Sequence, residues 1–462
     1  MTSCVQKMNT VNFSALQNWS ILSHLTATQY RSKYELVKIG SFLKRIKDGV
    51  EIQDGVLYKR ATIKINNGGI FLRDAVVGND IGTKNQYIIR EGQLLLSKID
   101  ARNGAFGIVP KELDGGVITG NFWVYEIDTT KILPQILCNI LSSRKFQAIW
   151  ETCSNGTTNR HYLQEDAFLN TSIPVPAIKE QHKILSKYEE IICLKNNKKI
   201  EIFEKQRVVE DYLMKSLKIS AKTANTRNTF ISFTTFESIT CWGVDKILHG
   251  VNQFYDFNQQ PTALIEYKDW LIDVFRGKSP IYQKDSDYII LNQKCNRWNY
   301  IDDQYAKTVD GKWYSSLDKD VFLKENDIIV NSTGEGTLGR ASLVTSKHIG
   351  YLVDSHMLVL RLNTECLSPE FIVRQINSEF GQKQVDLLKG AQATKQTELG
   401  VDNLLKIKFV IPIDSNGNPD LTAQNNIVSE IKKIEMQIQE LSSQVELLEI
   451  QAKQQFEDAI FG

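Results

Sequence analysis

The residues of this 462-residue chain that could do chemistry are few, and their spacing mostly argues against it. The six histidines (His24, His161, His182, His249, His348, His356) include no HExxH pair, the spacing that puts two metal ligands on one helix face. The seven cysteines (Cys4, Cys138, Cys153, Cys193, Cys241, Cys295, Cys366) contain no CxxC pair. They read as reduced thiols, with neither a zinc site nor disulfides. Gly334 to Gly339, GEGTLG, has the GxGxxG spacing of a dinucleotide loop, but the strand-like Arg340 to Val344 follows where a phosphate-binding helix should begin. A glycine-rich hairpin loop is expected there. Pro419-Asp420 with Glu430 and Lys432 imitates the carboxylate–lysine set of metal-dependent nucleases, yet Ile431 is a heptad core position, which makes its neighbours solvated flanks of a helix. None of the nine prolines is followed by another, so the Asn/Asp-Pro-Pro-aromatic loop of amino-methyltransferases is absent. A chain without catalysis or a cofactor of its own is expected.

Binding is what the remaining polar residues suit. Ser97 to Gly104, SKIDARNG, puts Lys98, Arg102 and Asn103 in one turn, and Asn331 to Arg340, NSTGEGTLGR, offers Ser332, Thr333 and Arg340 in a comparable place. A second pair of turns combines glycine with polar residues and a cation: Asn155, Gly156 and Arg160 in NGTTNR, and Gln392 and Lys395 in GAQATKQ. Arginine can read guanine O6 and N7 and asparagine adenine N6 and N7, while hydroxyls and glycine amides suit phosphates.

These turns occur twice because the chain repeats itself. Trp19 answers Trp242, Arg90 to Ser97 answers Lys324 to Asn331, Ile173-Pro174 answers Ile411-Pro412, and Gln181 answers Gln424, in one order and at steadily growing offsets. A diverged duplication gives that pattern, where shared turn vocabulary would scatter. In each half, β-branched and aromatic runs punctuated by glycine predict strands: YIIREGQLLLSKI, GAFGIVP and GGVITGNFWVYEI, then DYIILNQ, VFLKENDIIVNS, GRASLVT and GYLVDSHMLVLRL. A helical stretch follows, around Pro134 to Trp150 and Pro369 to Leu388, and prolines at 174, 176, 412 and 419 stop the strand region before a long helix.

In the last helix Ile427, Ile431, Ile434, Ile438, Leu441, Val445, Leu448, Ala452, Gln455 and Ala459 step by four and three, an a/d seam. In the first, Ile184, Tyr188, Ile191, Ile202, Val209 and Tyr212 hold the equivalent register, and Lys195, Lys198 and Lys205 interrupt it. Antiparallel pairing of the two would bury both seams and return the end of the chain to the first domain, giving a pseudo-two-fold arrangement. A homodimeric coiled coil is the competing arrangement. The length predicts two or three domains. With apolar content of 42%, charged content of 24% and a net charge of +1, the chain should form a sizeable core with no bulk attraction to polyanions. No apolar run has the ~18 to 20 residues of a membrane span, and no signal-like segment is read at the start, so a cytoplasmic location is expected.

The stretches NGTTNRHYLQEDAFLNTSIPVPAIKEQHKIL and REGQLLLSKIDARNGAFGIVP, with KGAQATKQTELGVDNLLKIKFVIPIDSNGNPDLTAQNNIV in the second half, resemble a specificity subunit of a Type I restriction-modification system. The second copy departs from the pattern: Asp414 replaces a proline, and DSNGNPDL precedes Gln424. The resemblance implies an α+β fold with two strand-rich target-recognition domains, about 1–176 and 221–415, joined and closed by long antiparallel helices at about 177–220 and 416–462. Each domain would read one half of a split double-stranded DNA target through the turns named above, and the helices would set the spacing. It further implies two methyltransferase subunits and restriction nuclease-translocase subunits as partners, with S-adenosylmethionine, ATP and Mg on those partners. Alternatives are a Type IIB-like holoenzyme with fused methyltransferase-nuclease partners, or a coiled-coil scaffold that binds only protein.

Overall fold

A computed structural model describes residues 32–155, 162–222, 254–266, 268–334, 336–391 and 397–462. Trp19 and Trp242, the first matched pair of the repeat, lie outside them. The chain divides into two compact units, Met1–Lys199 with Ser443–Gly462, and Ile200–Ser442.

In the first unit, strands β1 (Leu43–Ile46), β2 (Leu94–Ser97), β3 (Phe106–Ile108) and β4 (Phe122–Ile127) form an antiparallel sheet in the order β1-β4-β2-β3. Helices α1 (Pro134–Leu141) and α2 (Arg144–Thr152) follow, then the long helix α3 (Ile178–Ser216), whose residues up to Lys199 belong to this unit. In the second unit, β5 (Leu271–Arg276), β6 (Ile328–Asn331), β7 (Ala341–Leu343) and β8 (Met357–Leu362) are antiparallel in the order β5-β8-β6-β7. Helices α4 (Pro369–Asn377) and α5 (Glu379–Leu388) follow, then the long α6 (Leu421–Phe461). The same elements recur in the same order and with the same strand pairing, as the sequence repeat requires.

The central strand of each sheet is buried on both faces. Strand residues alternate in direction, so Leu94 and Leu96 join the core under the helices while Leu95 joins a second core on the opposite face. Ile328 and Val330 against Ile329 repeat that division. The opposite face is covered by the segment between the first two strands of each sheet, and here the units differ. The first inserts strands Gly49–Glu51, Leu57–Lys64, Gly69–Val77 and Asn85–Ile88, which with Val117–Ile118 make a five-stranded sheet. The second inserts a turn-rich segment whose strands Ile289–Leu291 and Lys307–Thr308 pair into a three-stranded sheet with Leu352–Val353.

Each predicted helical stretch after the sheet is two helices rather than one. Ser143 and Ser378 break them: the Ser143 hydroxyl accepts from Phe146 N at 3.2 Å and the Ser378 hydroxyl from Gly381 N at 3.2 Å. A serine that satisfies the first free amides of a new helix stabilises a start at the point where apolar periodicity alone runs on.

Gln181 and Gln424, each in the first turn of a long helix, are fully buried. The Gln181 carboxamide accepts from Leu133 N at 2.8 Å and donates to Lys131 O and Pro176 O at 2.8 and 2.7 Å. Gln424 accepts from Ser368 N at 2.9 Å and donates to Cys366 O at 3.3 Å. Leu133 and Ser368 are the N-cap residues of α1 and α4, and neither helix has a cap from its own side chain, so the long helix supplies one.

Within the first unit α3 and α6 run antiparallel: Tyr188 packs on Phe456 and Lys198 Nζ donates to Gln444 at 2.5 Å. Within the second, Lys205 Nζ donates to Gln437 at 2.8 Å. The lysines that interrupt the apolar seam thus lie in it, half-buried, and reach polar groups of the facing helix. The heptad expected for α6 holds from Ile427 to Ala452 and then slips. Gln455 is exposed, whereas Phe456 and Ile460 are buried in the first unit's core with Phe461. Their larger apolar area draws the last turn one position round, and a 3.6-residue period accommodates steps of four. Asp420, the aspartate of the nuclease-like spacing, caps α6 by accepting from Ala423 N at 2.9 Å; Ile431 is fully buried, and Glu430 pairs with Lys433.

Two consequences for stability follow from burial. Gln181→Leu strands an amide and two carbonyls away from water and should cost about 1–3 kcal/mol or more, read as a lowered urea midpoint; Gln424→Leu should do the same. Arg361→Ala removes the bidentate partner of the buried Asp327 carboxylate, whose two oxygens each lie 2.8 Å from the guanidinium. Leaving that charge uncompensated should cost about 3–5 kcal/mol, and Asp327→Asn with Arg361→Met should recover much of the loss.

Candidate nucleic-acid interface

The turn that follows β2 is built from short-range hydrogen bonds. The Ser97 hydroxyl accepts from Ile99 N and Asp100 N at 3.3 and 3.1 Å, and Ala101–Asn103 forms a single 3-10 turn closed by Gly104. Gly104 has φ +79°, and a Cβ there would meet Asn67 N at 2.5 Å, so only glycine fits. Asn67 belongs to the tip of the insert hairpin between Leu57–Lys64 and Gly69–Val77; Asn66 N donates to Asn103 O at 2.6 Å and Asn67 N to Gly104 O at 3.1 Å. Asn66 and Asn67 both take left-handed backbone conformations, which asparagine tolerates.

Lys98, Arg102 and Asn103 therefore sit together, in three different settings. Lys98 is half-buried, 5.9 Å from the Trp123 ring that Arg45 also covers at 5.0 Å. Burial and the neighbouring Arg45 guanidinium hold the Lys98 ammonium below its usual range. Arg45 is paired with Glu165 at 2.7 Å, and Glu165 also accepts from the Tyr125 hydroxyl at 2.9 Å, so one carboxylate faces two cations. An anion approaching Lys98 would relieve the imbalance. Arg102 is half-buried, with its carbonyl held by Gln147 at 2.9 Å, and its guanidinium has no ion pair among the described residues. Asn103 is exposed, donating to Asp100 at 3.2 Å.

The short strands that flank the other expected contact turn of this unit are brought alongside. Ser154–Asn155 pairs with Tyr162–Leu163, and Leu163 N donates to Lys98 O at 2.8 Å. Asn155 is thus placed at the start of that hairpin; Gly156 and Arg160 lie outside the described residues.

The second unit repeats the stitch. Gly390–Ala391 pairs with Thr397–Glu398, and Leu399 N donates to Ser332 O at 2.9 Å. Gln392 and Lys395 lie outside the described residues. GEGTLG is the loop between β6 and β7, the hairpin loop expected from its sequence. Ser332 is fully buried and its hydroxyl has no partner among the described residues, whereas the Thr333 hydroxyl lies 3.0 Å from His356 Nδ1. Arg340 donates to Gly336 O at 3.0 Å and its guanidinium lies 5.4 Å from the centre of the Trp298 ring. Burial, helped by nearby Arg297, holds the Arg340 guanidinium below its ordinary range.

Three contributors escaped the sequence reading: Arg45 and Trp123, whose proximity to Lys98 exists only once β1, β4 and the turn after β2 meet, and Trp298. The dense aromatics of RWNYIDDQY within a polar stretch were a signal for the last. Among the described residues no group of histidine, cysteine, aspartate and glutamate side chains could hold a metal ion, and no helix is long and apolar enough to cross a membrane.

This geometry can be set beside known proteins. Residues 31–204 match the family described as Type I restriction modification DNA specificity domain. No curated protein is similar enough to count as a match. A solved chain from work on complex assembly and conformational transition of the type I R-M system is 14% identical, with a TM-score of 0.54 over 94% of this chain and 100% of that one; the two share a fold. The HsdS subunit from Thermoanaerobacter tengcongensis is 14% identical with a TM-score of 0.37, covering 95% of this chain and 99% of its own. The Type-I restriction-modification system S subunit from M. genitalium is 11% identical with a TM-score of 0.40, covering 94% and 98%. Residues 31–204 are thus similar to a Type I restriction modification DNA specificity domain.

Proposed function

We propose that the whole chain is the DNA-recognition subunit of a Type I restriction-modification enzyme, with one half of a split target read by each unit. The observation that carries this reading is the repeat. The family match covers residues 31–204, most of the first unit with the first part of α3, and the second unit reproduces the first unit's sheet order, helix pair and buried glutamine. Lys98, Arg102, Asn103, Asn155, Gly156 and Arg160 would serve the first half-site, and Ser332, Thr333, Arg340, Gln392 and Lys395 the second. Because Ser332 is buried, its part would be to hold the loop rather than to touch DNA. A net charge of +1 suits a subunit whose partners share the phosphate contacts.

The chain itself would perform no bond-breaking step. Two methyltransferase subunits and restriction nuclease-translocase subunits would bring S-adenosylmethionine, ATP and Mg, and the chain would decide where on DNA that chemistry happens. The purified chain alone, with those cofactors added, should neither methylate nor cut DNA.

Exchanging residues 33–171 for the matching span of a relative, in cells that also make the methyltransferase partner, tests the modular reading. A map of methylated bases should change in one half of the motif and keep the other; altered bases in both halves would refute it. Arg102→Ala should cost about 1–3 kcal/mol of binding with relaxed preference at one base pair if the guanidinium reads guanine. Lys98→Ala should weaken binding evenly over sequences and flatten its salt dependence, as loss of a phosphate contact does.

A further inference from the structure

Arg297 to Tyr300 is a tight turn in the second unit's insert, and its backbone is fixed from behind by buried polar side chains. Arg297 N donates to Tyr300 O at 3.0 Å, and Asn299 takes φ +69°. Ser342, fully buried, places its hydroxyl 2.7 and 2.8 Å from the carbonyls of Arg297 and Tyr300 and 2.6 Å from Asn296 Oδ1. Asn296, also fully buried, donates to Arg340 O at 2.8 Å and to Asn331 Oδ1 at 3.0 Å. Asn377 on α4 donates to Asn299 Oδ1 at 2.7 Å and to Ala341 O at 2.8 Å. The turn is therefore welded to β6, β7 and the loop that joins them.

What this frame holds outward is aromatic. Trp298 is 42% exposed and Tyr300 58%. Arg340 covers the Trp298 ring without a carboxylate partner among the described residues, and Arg297, shared between Asp302 at 3.6 Å and the Tyr305 ring at 4.8 Å, adds a second cation. Large side chains left in water on a rigid backbone lose little conformational entropy when a partner covers them, and the flanking guanidinia select an anionic partner.

We propose that Trp298 and Tyr300 are specificity-determining residues of the second unit, pressing on base edges, thymine methyls or an opened base step in a DNA groove while Arg340 and Arg297 hold the adjoining backbone. Apolar side chains read thymine methyls in the major groove and wedge base steps in the minor groove. The inference rests on the DNA-recognition reading above and extends it to residues outside the turns that the sequence repeat marks.

The test uses the full chain assembled with its methyltransferase partner, a randomised DNA duplex library, and sequencing of the bound fraction. The unaltered complex should enrich a split motif. Trp298→Ala should lower affinity for that motif at least tenfold and erase preference at one or two adjacent positions in one half only. Tyr300→Ala should act in the same half, and Trp298→Phe should keep most of the affinity. Urea unfolding midpoints should not move, since neither ring lies in a core. Alanine variants that enrich the same motif with the same affinity would overturn the proposal. So would an equal loss over all sequences, or loss of complex assembly on size-exclusion chromatography, which would make the patch a protein-binding surface. If the unaltered complex enriches no motif, the DNA-recognition reading falls, and this proposal with it.

Discussion

A carboxamide buried in the first turn of each long helix holds the two kinds of structure in this chain together. Gln181 and Gln424 have no access to water, so the donor and acceptor of each side chain must be satisfied inside the protein. The groups that do so are the N-cap amide of the helix that follows the sheet and the carbonyl two residues before it. An apolar contact would tolerate sliding or rotation of the long helix, whereas this two-point hydrogen bond has one register and one orientation.

On that frame the two units keep one face of the sheet and vary the other. The face under the helices is a large continuous core in both, with Leu94 and Leu96 in one and Ile328 and Val330 in the other. The opposite face is closed by inserts that share no strand arrangement, a five-stranded sheet against a three-stranded one. Yet each insert is sewn to the same place: the Asn66-Asn67 tip to the turn at Asn103-Gly104, the Arg297–Tyr300 turn to Ala341, and Asn296 just before that turn to Arg340. A duplicated domain can diverge in this way because the inserts contribute to small separate cores rather than to the one beneath the helices. The side chains they present can therefore change without disturbing the junction.

The long helices show the same economy. Lysine in an apolar seam weakens it, but Lys198 and Lys205 reach Gln444 and Gln437 across the seam inside their respective units. Polar contacts across the seam favour one pairing of the helices over the shifted ones that an all-apolar seam would allow.

The amino-acid sequence by itself determined the repeat, the strands on either side of the SKIDARNG and NSTGEGTLGR turns, the long helices and those two turns, because these follow from periodicity, branching and backbone freedom, which are local properties; the first strand of each sheet and the hairpin of Leu57–Lys64 and Gly69–Val77 were not legible in it. It also marked Gln181 and Gln424 as equivalent, though not what they bind. Tertiary structure alone decided the rest. Gln455 yields its place to Phe456 because the first unit's core offers the phenylalanine burial. Ser332 turns inward because Leu399 and His356 close over its backbone. Arg45 and Lys98 share the Trp123 ring because strand pairing brings together residues that lie far apart along the chain. No local pattern encodes such meetings, since contacts across a sheet are set by register and packing, and those exist only once the chain has folded.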